Sequence, residues 1–147
     1  MIDTSRVIVI CGGGGKTTIT NKYPNKFIDI DKFIWSDKNV KYHNTLRKYC
    51  EEGNSDKIGE LYKEIITLNK KYLNSTGKII LMHHPINAEW LDAKCDLVLK
   101  PDKKLHLENI KNRTINMQKI AIDNWNMLDN AYIYKTHEEL SLKLGCF

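Results

Sequence analysis

The stretch "VIVICGGGGKTTIT", residues 7–20, decides how the rest of the chain is read. Its first half is a short continuous run of mostly β-branched apolar residues, the pattern of a strand buried on both faces. Gly12 to Gly15 stop that run, and Lys16-Thr17-Thr18 open a segment that Pro24-Asn25 must end after about two helical turns. The order strand, glycine turn, helix gathers backbone N–H groups around one point. Glycines tolerate the φ/ψ values that turn successive amides inward. The first turn of a helix adds unpaired amides and the positive end of its dipole, so the whole suits an anion.

Outward from this stretch, strands and helices alternate. "KFIDI" (26–30) reads as a second strand, "KIILM" (78–82) as a third, "DLVLK" (96–100) as a fourth and "AYIY" (131–134) as a fifth. Between the second and third lies an irregular segment of a turn and short helices closed by Gly53. A long amphipathic helix follows from Ser55 to about Asn74, with Ile58, Leu61, Tyr62, Ile65 and Leu68 on one face. A short helix with Asn87 as N-cap follows the third strand. Pro101-Asp102 opens another, and 114–130 places Met117, Ile120, Ala121, Asn124 and Leu128 on one helical face. Thr136 and Glu139 are spaced as a capping box for a last helix. The expected fold is α/β, one domain over 1–147, with a five-stranded, mostly parallel sheet flanked by helices on both faces. Ligands of such sheets sit beyond the carboxyl ends of the strands, where the glycines fall.

Bulk properties narrow the class further. The chain of 147 residues is 41% hydrophobic and 28% charged, an ordinary soluble composition. Its net charge of +5 suits a polyanionic ligand and equally a Lys-rich coding bias. Cys11, Cys50, Cys95 and Cys146 form no C-x-x-C pair and no metal-ligand spacing, so small buried thiols in a reduced, cytoplasmic protein are expected. No apolar run is long enough to span a membrane, and "MIDTSRVIVI" lacks the features of a signal peptide.

The glycine stretch nearly satisfies G-x-x-x-x-G-K-[ST], the phosphate-binding loop in which Lys reaches the β/γ-phosphates and the following hydroxyl ligates Mg²⁺. Ile10 stands where the first glycine belongs, and Gly12 is expected to relax the turn in its place. Taken alone, "CGGGGKTT" resembles the loop of the partition and septum-site ATPases. Cys11 replaces their signature lysine, however, and Met82-His83-His84-Pro85 lacks the aspartate of their D-x-x-P. More of the chain resembles the small P-loop kinases of the nucleoside, nucleotide and shikimate type, and that resemblance implies the three-layer P-loop fold with its strands in the order 2-3-1-4-5. "FIDID" is similar to the F-x-D-x-D ending their second strand, "LVLKPDKKLHLENIKNRT" to their fourth strand and lid helix, and "YIYKTHEEL" to their last strand and base-bordering loop.

The resemblance implies ATP and Mg²⁺ bound by Gly12, Gly13, Gly14, Gly15, Lys16, Thr17 and Thr18, with Thr17 on the metal and Asp29 beside its water shell. Asp31 would receive the acceptor's hydroxyl, or the two aspartates would merely cap the next turn. Arg113 would clamp phosphate, or stand as a solvated helix-end cation. Trp35 and Arg47 lie in the region that would bind the phosphate acceptor. Of His83 and His84, one would face the cleft and the other the packing, with His83 taken as the candidate to bind substrate, or the two would be a structural pair. The activity implied is γ-phosphoryl transfer to a small molecule, first a nucleoside or nucleoside monophosphate. A polynucleotide 5′-hydroxyl is the second choice of acceptor, and nucleic acid is otherwise not favoured. The incomplete acidic set keeps a different class open, a catalytically weak NTP-binding module in a larger assembly.

Overall fold

Strand β1 (Arg6–Ile10) is buried from Val7 onward and lies at the centre of the sheet. The computed structural model describes residues 6–145; Cys146 and the first five residues of the N-terminal stretch lie outside them. On one side β1 pairs with β3 (Ile79–Met82), on the other with β4 (Lys94–Pro101). Strand β2 (Phe27–Asp29) adds beside β3, and β5 (Tyr132–Tyr134) beside β4. Every pairing is parallel, as the alternation of elements predicts, and the order is 2-3-1-4-5, as the resemblance implies.

The connecting helices are α1 (Lys16–Lys22), α2 (Ile30–Ile34), α3 (His43–Glu52), α4 (Ser55–Leu68), α5 (Lys70–Ser75), α6 (Ile86–Trp90), α7 (Lys103–Ile110), α8 (Ile115–Met127) and α9 (His137–Lys143), with a 3-10 turn over Asp37–Tyr42. The two-residue period of β1 sorts them onto two faces. Val7, Val9 and Cys11 point into a core with Ile30, Leu46, Ile65, Leu73 and Leu128, built by α2 to α6 and α8. Ile8 and Ile10 point into the other, with Ile19, Phe27, Tyr134 and Leu140, where α1 and α9 pack. Each such fully buried aliphatic stabilises by about 1.5–3 kcal/mol, so a one-residue slip of β1 would exchange both cores at once.

Local departures from expectation have local causes. The second strand stops at Asp29, because its carboxylate accepts the Asp31 amide (3.0 Å) and caps α2. Asp29 and Asp31 therefore do not alternate along one strand; Asp31 lies on a helix. The amphipathic segment from Ser55 breaks at Asn69, whose side-chain amide donates to the Ile65 carbonyl (2.8 Å) and to Asn39 Oδ1 (3.3 Å). Asn87 lies inside α6 rather than before it, yet its Oδ1 accepts the amides of His83 (3.3 Å) and His84 (3.0 Å). The capping box of α9 is shifted. Thr136 Oγ1 accepts the Glu139 amide (3.1 Å), but Glu139 accepts the Lys135 amide (3.2 Å) instead of that of Thr136. Among the described residues no helix is long and apolar enough to cross a membrane.

Candidate functional site

The glycine loop leaves β1 and crosses the carboxyl edge of the sheet to α1. Its left-handed residues are Gly13 (φ 82°) and Gly15 (φ 102°), conformations that side chains rarely adopt. Gly12, expected to relax the turn, has no such φ. Ile10 shapes the loop differently: its Cγ2 stands 2.5 Å from where a Cβ on Gly14 would sit, with Tyr134 Oη at 2.7 Å and the Cys11 carbonyl at 2.8 Å. The loop closes over Ile10 because position 14 has no side chain.

Three side chains hold the loop's carbonyls. His106 Nε2–H donates to the Gly12 carbonyl (2.8 Å), Asn109 Nδ2 to that of Gly13 (2.8 Å), and the Tyr134 hydroxyl to that of Gly14. Tyr134 is fully buried, and burial pushes its phenol up, so it stays a donor. Burial pushes the His106 imidazolium's pKa down; its bond to Gly12 resists this, while Arg113, Lys100 and Lys16 add to it. On the other side, the amides of Gly13, Gly15, Lys16, Thr17 and Thr18 have no hydrogen-bond partner among the described residues. All five residues line the main cleft. Together they form a cradle of free donors with its acceptors tied back, suited to an anion.

Lys16 is 5% exposed, and its ammonium donates to the carbonyls of Ile10 (3.1 Å) and Cys11 (3.3 Å). Thr17 Oγ1 donates to Asp29 Oδ2 (2.9 Å), and Asp29 is 1% exposed. The hydroxyl and carboxylate expected near one metal ion are thus neighbours. Among the described residues no three His, Cys, Asp or Glu side chains gather as a metal cluster. Cys11, beside the loop, is an inert thiol: burial pushes it up to about 11, against the pull of Lys16, Lys100 and Arg113.

Across the cleft stands a second constellation. Asp31 accepts the Tyr62 hydroxyl at Oδ1 (2.7 Å) and His83 Nε2–H at Oδ2 (2.8 Å). Burial opposes ionisation of Asp31, but the charge and hydrogen bond of His83, Lys16 and the Tyr62 hydroxyl outweigh it and hold the carboxyl well below the usual range. Burial, with the Asp31 carboxylate beside it, keeps Tyr62 a phenol. Asn124 ties the two sides together. Its Oδ1 accepts the Gly12 amide (2.7 Å) and its Nδ2 donates to the His83 carbonyl (3.0 Å).

The cleft has a volume of about 620 Å³ and is walled by α2, α4, α6 and α8 as well as the loop. Trp35, 37% exposed, lines it, as do Asp31, His83 and Arg113. His84 lines it too, so that both histidines and not one face the cleft, and its Nδ1 accepts the Ile86 amide (3.1 Å). Arg47 does not line the cleft; its guanidinium lies 5.9 Å from the Trp35 ring and donates to Asn44 Oδ1 (3.0 Å). Gly14 forms the back of the loop. No protein-family model and no curated protein matches the chain in sequence.

Sequence reasoning assigned no role in the site to Tyr62, His106, Asn109, Asn124 and Tyr134. One signal was visible: Asn124 is a polar residue on an otherwise apolar helical face. That face proves to be a cleft wall, with Met117, Ile120, Ala121 and Asn124 all lining it.

Proposed function

We propose that the chain is a phosphotransferase of the P-loop NTPase superfamily, similar to the small-molecule kinases, moving the γ-phosphoryl of ATP to a small acceptor of the nucleoside or nucleoside monophosphate class. The observation that carries this reading is the glycine loop itself, with five unpartnered amides facing a cleft, carbonyls tied back, and Lys16 beside them. Transfer of this kind needs little covalent chemistry from the protein; positioning and charge neutralisation do most of the work. The amides and Lys16 would hold the phosphates, and Arg113, whose guanidinium has no partner among the described residues, would add charge from the other wall.

Mg²⁺ fits the residues present. Thr17 Oγ1 and the buried Asp29 carboxylate are hard oxygen donors already in contact. They would hold the ion directly or through its waters, and the ion would supply neutralisation of phosphate charge. A second reading, an NTP-binding module with weak or no transfer, is favoured by the imidazole of His83 at the end of β3, where a carboxylate would assist the metal.

The test is transfer from γ-labelled ATP with Mg²⁺ to a panel of nucleosides, nucleoside monophosphates, shikimate-like alcohols and 5′-hydroxyl oligonucleotides. Labelled acceptor is expected in the wild type, and Lys16→Ala should lower the rate by about 10²–10³-fold. ATP binding without any labelled acceptor would establish the module instead.

A further inference from the structure

Asp31, Tyr62 and His83 come from α2, α4 and the end of β3, and they form a hydrogen-bonded chain that the phosphate-holding machinery does not use. Both oxygens of Asp31 are engaged, which makes it a weak base. His83 is differently placed. With Nε2–H donating to Asp31, the other ring nitrogen, Nδ1, has no partner among the described residues, and the ring lines the cleft. A carboxylate that keeps one imidazole nitrogen protonated leaves the other as a proton acceptor.

Such an acceptor matters for one class of substrate. An alcohol is un-ionised at neutral pH and must lose its proton as its oxygen bonds to phosphorus. A phosphate monoester is already largely a dianion, with a second pKa of about 6, and has no proton that must be removed. It would also meet the carboxylates of Asp31, Asp56 and Asp123, all of which line the cleft. Resting on the phosphotransferase reading above, we propose that the acceptor is an uncharged alcohol rather than a phosphate, and that His83, held by Asp31 and Tyr62, takes its proton.

The alcohol oxygen bonds to the γ-phosphorus of the nucleoside triphosphate, and its proton passes to His83 Nδ1. The bond between the γ-phosphorus and the β–γ bridging oxygen breaks, and the nucleoside diphosphate leaves with that electron pair. The charged and titratable groups around His83 are Asp31 on α2, Tyr62 on α4 and adjacent His84. Lys16 on α1 acts on Asp31, Cys50 on α3 and Asp29 act on Tyr62, and Asp123 and Arg113 face the same cleft from the α7–α8 side.

The experiment measures kcat/KM against pH for matched acceptors, a nucleoside and its 5′-monophosphate, with Mg²⁺ and ATP. The nucleoside is expected to be phosphorylated with an acid limb of slope one, and the monophosphate is not. His83→Gln keeps a donor for Asp31 but no titrating nitrogen. It should lose about 10²–10⁴-fold in kcat/KM and lose the limb, with ATP affinity unchanged. Tyr62→Phe, a milder change, should keep the limb with a smaller loss. Efficient transfer to the monophosphate, or the same limb in His83→Gln, would overturn the proposal while leaving the phosphotransferase reading intact. Should His83→Gln not fold, Asp31→Asn replaces it, and an unaltered pH profile in that variant overturns the proposal. ATP binding with neither acceptor labelled removes the phosphotransferase reading, and this one with it.

Discussion

The two walls of the cleft are built in opposite ways. The glycine loop is continuous in sequence, and its donors are backbone amides that no side chain supplies. The facing wall is assembled from Asp31, Tyr62 and His83 on three separate elements, and its chemistry is entirely in side chains. A backbone site needs little more than the right local conformation and something to hold it from behind. A side-chain site needs the whole fold to bring its members within hydrogen-bond distance. Asn124 is bonded to both, joining the Gly12 amide to the His83 carbonyl.

That contrast can be broken most sharply at Gly14. A methyl there would meet Ile10, the Tyr134 hydroxyl and the Cys11 carbonyl within 2.5–2.8 Å, and all three are fixed in the core or backbone. Gly14→Ala should cost about 1–3 kcal/mol of stability in a urea titration and weaken ATP binding as the loop shifts. Unchanged affinity and midpoint would mean that the loop is not held as tightly as its contacts indicate. The next effect belongs to the link. Asn124→Ala leaves the Gly12 amide and the His83 carbonyl without their partner and should cost about 1–2 kcal/mol, near the lower part of the range for unsatisfied polar groups. Because both walls touch it, ATP affinity and acceptor turnover should fall together; a change in one alone would show the walls to be independent.

A smaller effect separates the loop's support from the facing wall by pH. His106 is buried and its folded pKa lies below the ordinary imidazole value, so the unfolded chain takes the proton first. Its contribution is complete above about pH 6.5 and is lost as the pH falls from there through the folded value. The urea midpoint should therefore fall on acidification more steeply in the wild type than in His106→Gln. Parallel curves would remove His106 from the loop's support. The smallest effect is expected from Arg47→Ala. Its guanidinium lies outside the cleft, so stability should change by less than about 0.5 kcal/mol and transfer kinetics hardly at all. A raised KM for the acceptor would return Arg47 to the site.

Much of this molecule was legible in advance, and the reason differs from part to part. The parallel sheet follows from the alternation of strands and helices, since parallel strands require crossovers, whereas the strand order was expected only from the resemblance to P-loop kinases. The glycine loop was legible because its function is conformational and glycine is its conformational signature. The end of β2 was not. "FIDID" alternates as a strand would, and only the hydrogen bond from the Asp31 amide to Asp29 turns it into a helix start. The α8 face carrying Met117, Ile120, Ala121 and Asn124 reads as core by periodicity. Periodicity cannot tell a face turned to packed side chains from one turned to a cleft.

By itself, then, the sequence determined the α/β class, the parallel sheet and the position of an anion cradle at the carboxyl edge of the first strand. These depend on backbone propensity and on hydrophobic period, which are properties of neighbouring residues. Only the tertiary structure decided that Thr17 meets Asp29, that His83 meets Asp31, and that Asn124 joins the two walls. Apart from the twelve-residue step from Thr17 to Asp29, those contacts cross 41 to 112 positions of the chain. At such separations no local preference acts, and the packing of helices on both faces of the sheet sets the distance.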